Sequence, residues 1–226
     1  MNHSNKIAVI IPAAGASSRF GGLIPKQFSR LGDETVLEKS VNLFLGISSV
    51  YQVVIAVNQN EDLIKSQSFY HDPRIQIVAG GSTRSESVFN AMAEVDESVE
   101  IVAIHDSARP WLKKIHFKDL LSHLANDQSI EGVFPVILAT DSLRMKQGVD
   151  FIPVERENFF HVQTPQIFYH DSLKLTLDKL QQKGLHMSDE SQAMEHAGFK
   201  VLAVPGERSN IKITYFEDLT HHIGTD

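Results

Sequence analysis

The sequence predicts an α/β protein built on a mostly parallel sheet with helices on both faces. Two observations carry that reading: apolar runs of strand length alternate with stretches of helical period, and no repeat, low-complexity tract or linker interrupts them. Size agrees, since 226 residues with 42% hydrophobic content suffice for one large domain around a single core. Residues 1–226 are therefore expected to form a single domain.

The elements follow in order. Residues 7–11 form an uninterrupted apolar run, as expected of a strand buried on both faces. A loop of small residues occupies 12–25, after which Leu37, Val41, Phe44 and Leu45 recur at helical spacing on one face. Residues 53–57 read as the next strand. A polar helix around 61–69 leads to a strand at 75–78, then 85–95 reads as helix and 101–104 as another buried strand. A helix at 115–124 and a strand at 133–136 complete the alternation. From about 139 to 162 the rhythm breaks into short runs of mixed polarity around Gln147-Gly148, which predicts a protruding β-arm of the kind that grips a second subunit. The pattern resumes with a helix at 169–182 and another that Ser188 is placed to cap, with Asp189 and Glu190 set against its N-terminal dipole. A last strand, 200–204, precedes the tail.

Charge narrows the function. Lys and Arg number 21 against 28 Asp and Glu, and the net −7 argues against a surface for nucleic acid or anionic lipid. Any cations gathered in one place are then informative. The run 7–11 is too short for a signal-peptide core and no stretch approaches membrane-spanning length. With no cysteine there is neither a disulfide framework nor a thiolate metal site, so a cytoplasmic protein is expected. The 11 histidines, including His221-His222, show no metal-ligand spacing and read as surface residues. Trp111, the one tryptophan, reads as packing beneath a site.

The loop Pro12-Ala13-Ala14-Gly15-Ala16-Ser17-Ser18-Arg19-Phe20 opens at the carboxyl end of the first strand, where open parallel sheets place their ligand crevice. Consecutive small residues leave amide N–H groups free to surround phosphate oxygens, and Arg19 and Lys26 add two positive charges for the same anion. A flexible surface loop with two solvated cations has the same composition. No G-x-x-x-x-G-K-[ST] is present, and Ser17 interrupts a dinucleotide G-x-G-x-x-G, so neither a P-loop NTPase nor an ordinary NAD enzyme is indicated.

Seven blocks in order, Pro12-Ala13-Ala14-Gly15 with Arg19, Pro25-Lys26-Gln27, Gly80-Gly81 with Arg84 and Ser87-Val88, His105-Asp106-Ser107-Ala108-Arg109-Pro110, Thr164-Pro165-Gln166, Asp189-Glu190 and Asn210-Ile211-Lys212, span nearly the whole chain. In these the sequence resembles the 2-C-methyl-D-erythritol 4-phosphate cytidylyltransferases, among the wider nucleotidyltransferases that charge sugar phosphates. The resemblance implies a Rossmann-like nucleotidyltransferase fold and a reaction in which a phosphate oxygen of methylerythritol phosphate attacks the α-phosphorus of CTP and expels pyrophosphate, in the non-mevalonate isoprenoid-precursor pathway. The nucleophile is already an anion, so positioning and charge neutralisation carry such a reaction.

By the same resemblance, Arg19 and Lys26 stabilise the transition state, and Arg156 and Lys212 hold the methylerythritol phosphate. Pro12, Ala13, Ala14 and Gly15 take the nucleotide, and the turn with Gly80, Gly81, Ser82 and Ser87 reads the cytosine. Asp106 holds Mg²⁺ and contacts substrate, with Ala108 beside it and Arg109 meeting the substrate's phosphate or hydroxyl end. Thr164, Ser188 and Ser142 are hydroxyl donors to the same substrate. Arg156 is expected from the arm of a second subunit, making a homodimer with two small-molecule substrates and neither nucleic acid nor membrane as partner.

Four positions depart from the family's pattern. Ser17 stands where a second glycine is usual, Ser142 and Ser188 replace threonines, and Ser82 replaces a common acid. Two other readings stay open from sequence: a cytidylyltransferase of the same fold for another polyol phosphate such as ribitol 5-phosphate, and a nucleotide-binding module without catalysis. A binding module has no need of cations for a second substrate, and Arg19, Lys26 and Lys212 are all retained.

Overall fold

In the first strand, β1 (Ile7–Pro12), every side chain from Ile7 to Ile11 is at most 2% exposed, and successive residues point to opposite faces of a sheet. Ile7, Val9 and Ile11 enter one core layer, Ala8 and Ile10 the other. The computed structural model describes residues 5–22 and 24–219. Within it β2 (Arg30–Leu31) and β3 (Glu34–Thr35) form a small hairpin leading into α1 (Val36–Leu45). Then come β4 (Val50–Val57), β5 (Ile75–Ala79), α2 (Arg84–Met92), β6 (Ile101–Ile104), α3 (Lys114–Asn126) and β7 (Gly132–Leu138). The ribbon β8 (Arg144–Gln147) and β9 (Asp150–Pro153) follows, then β10 (Phe160–Val162), β11 (Gln166–Tyr169), α4 (His170–Gln182), α5 (Glu190–His196) and β12 (Val201–Pro205).

Eight strands make the main sheet. β1 lies between β4 and β6, β5 flanks β4, and β12 flanks β7, each pairing parallel. β11 runs antiparallel between β6 and β7, and β10 pairs antiparallel with β7. The Pro135 carbonyl accepts from Gln163 N–H and the Val136 carbonyl from Gly206 N–H. Successive carbonyls of a strand face opposite edges. β10 and β11 thus share one edge of β7, and β12 holds the other. The expected mostly parallel α/β sheet is present, with β10 and β11 antiparallel to their neighbours.

Helices cover both faces. Leu37, Val41 and Phe44 of α1 and Phe117, Leu120 and Leu124 of α3 pack on one layer; Val88, Ala91 and Met92 of α2, Leu173 of α4 and Met194 of α5 pack on the other. Burying each of these side chains but Ala91 contributes about 1.5–3 kcal/mol relative to exposure, which favours the three-layer stack.

The hairpin β2–β3 and the strand β11 were not expected, and other expectations differ as well. The helix expected at 61–69 is a 3-10 turn over Asp62–Ser66, a span that offers only Ile64 to the core. The expected strand 133–136 extends to Leu138. The region 139–162 is not all arm: residues 144–153 form a separate exposed ribbon, while Phe160–Val162 join the main sheet. The last helix is capped by Asp189, not Ser188, since the Asp189 side chain accepts the Gln192 N–H at 3.0 Å. Trp111 packs as expected, against the small cluster of Phe20, Leu31, Val36, Ala108 and Ile213. His221 and His222 lie outside the described residues.

Candidate active site

The carboxyl ends of β1, β5 and β6 open into one cleft of about 570 Å³. Its walls hold Pro12, Ala14, Gly15 and Arg19 from the loop after β1, Lys26, then Gly81, Ser82, Arg84 and Ser87 around the start of α2, and Asp106, Ala108 and Lys212. Residues separated by two hundred positions meet there because parallel strands bring all their carboxyl ends to one side.

Lys26 follows Pro25 in a short 3-10 turn, and its ammonium donates to the Ile213 carbonyl at 3.0 Å. Burial, then Lys212 and Arg19, push its pKa below the ordinary lysine value. A cation kept at that cost is one prepared for an anion. Gln27, 4% exposed, donates its amide to the carbonyls of Ala13 and Gly15 at 2.7 and 3.4 Å and so pins the loop. Ala13 is buried beneath that loop and Arg19 is exposed at its end.

Asp106 is the electrostatic centre and, among the lining residues, the one carboxylate. Arg84 Nε donates to its Oδ1 at 3.0 Å, Lys212 Nζ stands 2.8 Å from Oδ2, and Arg109 Nε lies 3.6 Å from Oδ2. Burial alone would raise this carboxyl; the three cations outweigh it and hold Asp106 well below the usual carboxylate range. Arg84 also makes a bidentate pair with the buried Glu190, at 2.7 and 3.0 Å. Among the lining residues Arg19, Lys26, Arg84 and Lys212 against Asp106 leave three positive charges in excess, within a chain of net −7. Among the described residues no three His, Asp or Glu side chains gather to hold a metal by themselves.

The Gly80-Gly81 turn needs its glycines for space. A Cβ on Gly80 would strike the Ala14 Cβ, and one on Gly81 would strike Glu86. The two ligand-side loops therefore touch through a glycine. Ser87 Oγ accepts the Gly81 N–H at 3.0 Å and Glu86 accepts from the backbone and hydroxyl of Ser82 at 2.7 Å, so the turn is held ahead of any ligand. Thr83 caps α2.

Below the cleft runs a buried chain of hydrogen bonds. Asp106 N–H donates to Thr164 Oγ1 at 3.0 Å, Thr164 Oγ1 lies 3.2 Å from His105 Nδ1, and His105 Nε2 lies 3.1 Å from the Arg109 carbonyl. A carbonyl only accepts, so Nε2 carries the proton and Nδ1 accepts from Thr164. Burial lowers the His105 pKa to about 4, which keeps the ring neutral and this direction of donation intact. Thr164 is thus committed to the protein, and it does not line the cleft. Arg109 does not line it either: 8% exposed, it donates to the Asn210 carbonyl at 2.7 Å and lies behind Asp106. Both residues are engaged with the protein around Asp106.

Three other expected residues stand apart from the cleft of their own chain. Arg156 is exposed and donates to the Thr140 carbonyl at 2.8 Å; Ser142 is exposed at the root of the ribbon; Ser188 is exposed and its backbone N–H donates to Gln192. Conversely Gln27, Arg84, His105 and Glu190 brace the cleft although the sequence suggested no place in a site for them. Their signal was their place inside the seven blocks; their roles depend on partners up to 106 residues away.

The sequence model of the 2-C-methyl-D-erythritol 4-phosphate cytidylyltransferase family matches residues 7–222. A protein of that name from Blochmanniella pennsylvanica (strain BPEN) is 35% identical over 217 residues, covering 94% of this chain and 91% of that one. Another from Actinobacillus pleuropneumoniae serotype 7 (strain AP76) is 36% identical over 217 residues, with 96% and 94% covered. The crystal structure of the Francisella tularensis cytidylyltransferase superposes with a TM-score of 0.82 at 28% identity, over 96% of this chain and 97% of that one. Similarity that runs through every strand feeding the cationic cleft places the chain in the 2-C-methyl-D-erythritol 4-phosphate cytidylyltransferase family.

Proposed function

We propose that this chain performs at the cleft the reaction for which its family is named: transfer of a cytidylyl group from CTP to 2-C-methyl-D-erythritol 4-phosphate, giving 4-diphosphocytidyl-2-C-methyl-D-erythritol and pyrophosphate in isoprenoid-precursor synthesis. The observation that carries it is the excess of three positive charges at the strand ends of an acidic chain, beside a loop of small residues and a glycine turn. That is a receptor for a triphosphate and a flat base.

A phosphate oxygen of methylerythritol phosphate forms the new bond to the α-phosphorus as the bond to the β-phosphate oxygen breaks and pyrophosphate leaves. Charge builds on the α-phosphate and on the leaving group, where Arg19 and Lys26 neutralise it. Pro12, Ala13, Ala14 and Gly15 form the phosphate side of the site; Gly80, Gly81, Ser82 and Ser87 form the cytosine side. Lys212 lies between Asp106 and the solvent, 38% exposed in its side chain, and is free to turn from the carboxylate to a phosphate. Ala108 and Asp106 border the second substrate; Arg156 reaches it from the arm of a second copy of the chain, together with Ser142, while Ser188 approaches from the start of α5. The working unit is a cytoplasmic homodimer.

Magnesium accompanying a nucleotide takes most ligands from phosphates and water and needs one or two carboxylates, so Asp106 alone fits. When bound, the ion would neutralise and orient phosphate oxygens. The chain's own part is to hold that carboxylate ionised, which Arg84, Lys212 and Arg109 do.

The test is pyrophosphate release from CTP with Mg²⁺, offering methylerythritol phosphate and ribitol 5-phosphate separately. Turnover is expected with the first. Turnover only with ribitol 5-phosphate would reassign the substrate, and none with either despite CTP binding would leave a binding module.

A further inference from the structure

We propose that Ser17 is a positioning residue which, through its hydroxyl, sets Lys26 against the phosphate loop; this rests on the cytidylyl-transfer reading above. Ser17 has φ +54°, the one non-glycine with positive φ among the described residues. A left-handed backbone is one that side chains avoid, and the usual solution is glycine. Something at this position therefore repays a side chain.

The repayment is visible in the hydrogen bonds. Ser17 Oγ accepts the Lys26 N–H at 3.2 Å and donates to Gln27 Oε1 at 3.1 Å. Gln27 in turn donates to the Ala13 and Gly15 carbonyls, and Phe20 N–H closes the turn on the Ser17 carbonyl at 2.9 Å. Ser17 and Gln27 make a clasp that joins the loop after β1 to the turn carrying Lys26. Two loop carbonyls that would repel phosphate oxygens are engaged by it. A glycine at 17 would make the turn with less strain but would leave Lys26 N–H and Gln27 Oε1 without this partner.

The backbone role and the hydroxyl role separate in two variants. Ser17→Gly relieves the strain and removes the hydroxyl; Ser17→Ala keeps the strain and removes the hydroxyl. If the hydroxyl positions Lys26, both lose about tenfold in kcat, while KM for CTP moves by less than about twofold, and Ser17→Gly melts no lower than the parent. Ser17→Gly with parental kcat would overturn the proposal in favour of a turn requirement alone. A rise in KM at unchanged kcat would overturn it in favour of a simple binding loop. A parent chain that releases no pyrophosphate would sink the functional reading, and this one with it.

Discussion

Lys26 carries a charge that folding does not favour. Its pKa is lowered first by burial, then by Lys212 and Arg19, so the folded state disfavours the ammonium relative to the unfolded chain. That penalty is present at neutral pH and is relieved as pH rises through the lowered value toward 10.5. Lys26→Ala is accordingly expected to lower kcat about 10²–10³-fold while leaving the melting temperature unchanged or higher, as thermal melts and pyrophosphate release would check. A variant that lost both activity and stability would mean that Lys26 is structural. The residue was legible in sequence because Pro25-Lys26-Gln27 is a compact block. Thr164 and Arg109 show that motif membership says nothing about depth: both are buried beside Asp106, which only burial and partner geometry reveal.

At the level of elements, α1 shows how a local motif is enlisted by the fold. Thr35 and Glu38 form a capping box, with Glu38 Oε2 accepting the Thr35 N–H at 2.7 Å and Oε1 accepting the distant Ser68 N–H at 2.7 Å. Burial would raise the Glu38 carboxyl, but these N–H donors outweigh it and lower its pKa from 4.5. A depressed carboxyl contributes stability above its unfolded value and loses it as pH falls through the folded one. Glu38→Gln is therefore expected to cost about 1–2 kcal/mol at pH 7, with the gap closing below about pH 4.5 in denaturant titrations. A constant gap would place the loss in shape rather than charge. Apart from the one expected at 61–69, the helices were read to within a few residues because their apolar period is long enough to register. β10 and β11 were missed because three or four residues carry no period. Their extended form is imposed by the backbone groups of β6 and β7 that need partners.

Over the whole molecule, the exposed ribbon and the apolar face beside it are the features a single chain leaves unfinished. Met145, Phe151, Phe160 and Val162 are all exposed, and Arg156 on the same segment lies away from its own cleft. If Arg156 serves the partner's site, Lys26→Ala and Arg156→Ala chains, each nearly inactive alone, restore about a quarter of parental activity when refolded together in equal amounts. Half the dimers are then mixed, and each mixed dimer has one site with both residues. No recovery, with mixed dimers shown by mass spectrometry, would place Arg156 in its own chain's site.

The sequence by itself determined the layer order, the strand ends where ligands gather, and the family, because apolar period and motif blocks are local properties written along the chain. The cations Arg19, Lys26 and Lys212, read from separate blocks, line one cleft. Only the tertiary structure decided that Lys212, Arg84 and Arg109 meet on Asp106, that Glu190 holds Arg84 there, and that Ser17 is bent into a left-handed turn to reach Lys26 and Gln27. Those are distances between segments far apart in sequence. They are set by the way parallel strands carry their carboxyl ends to one edge, which no stretch of the chain records alone.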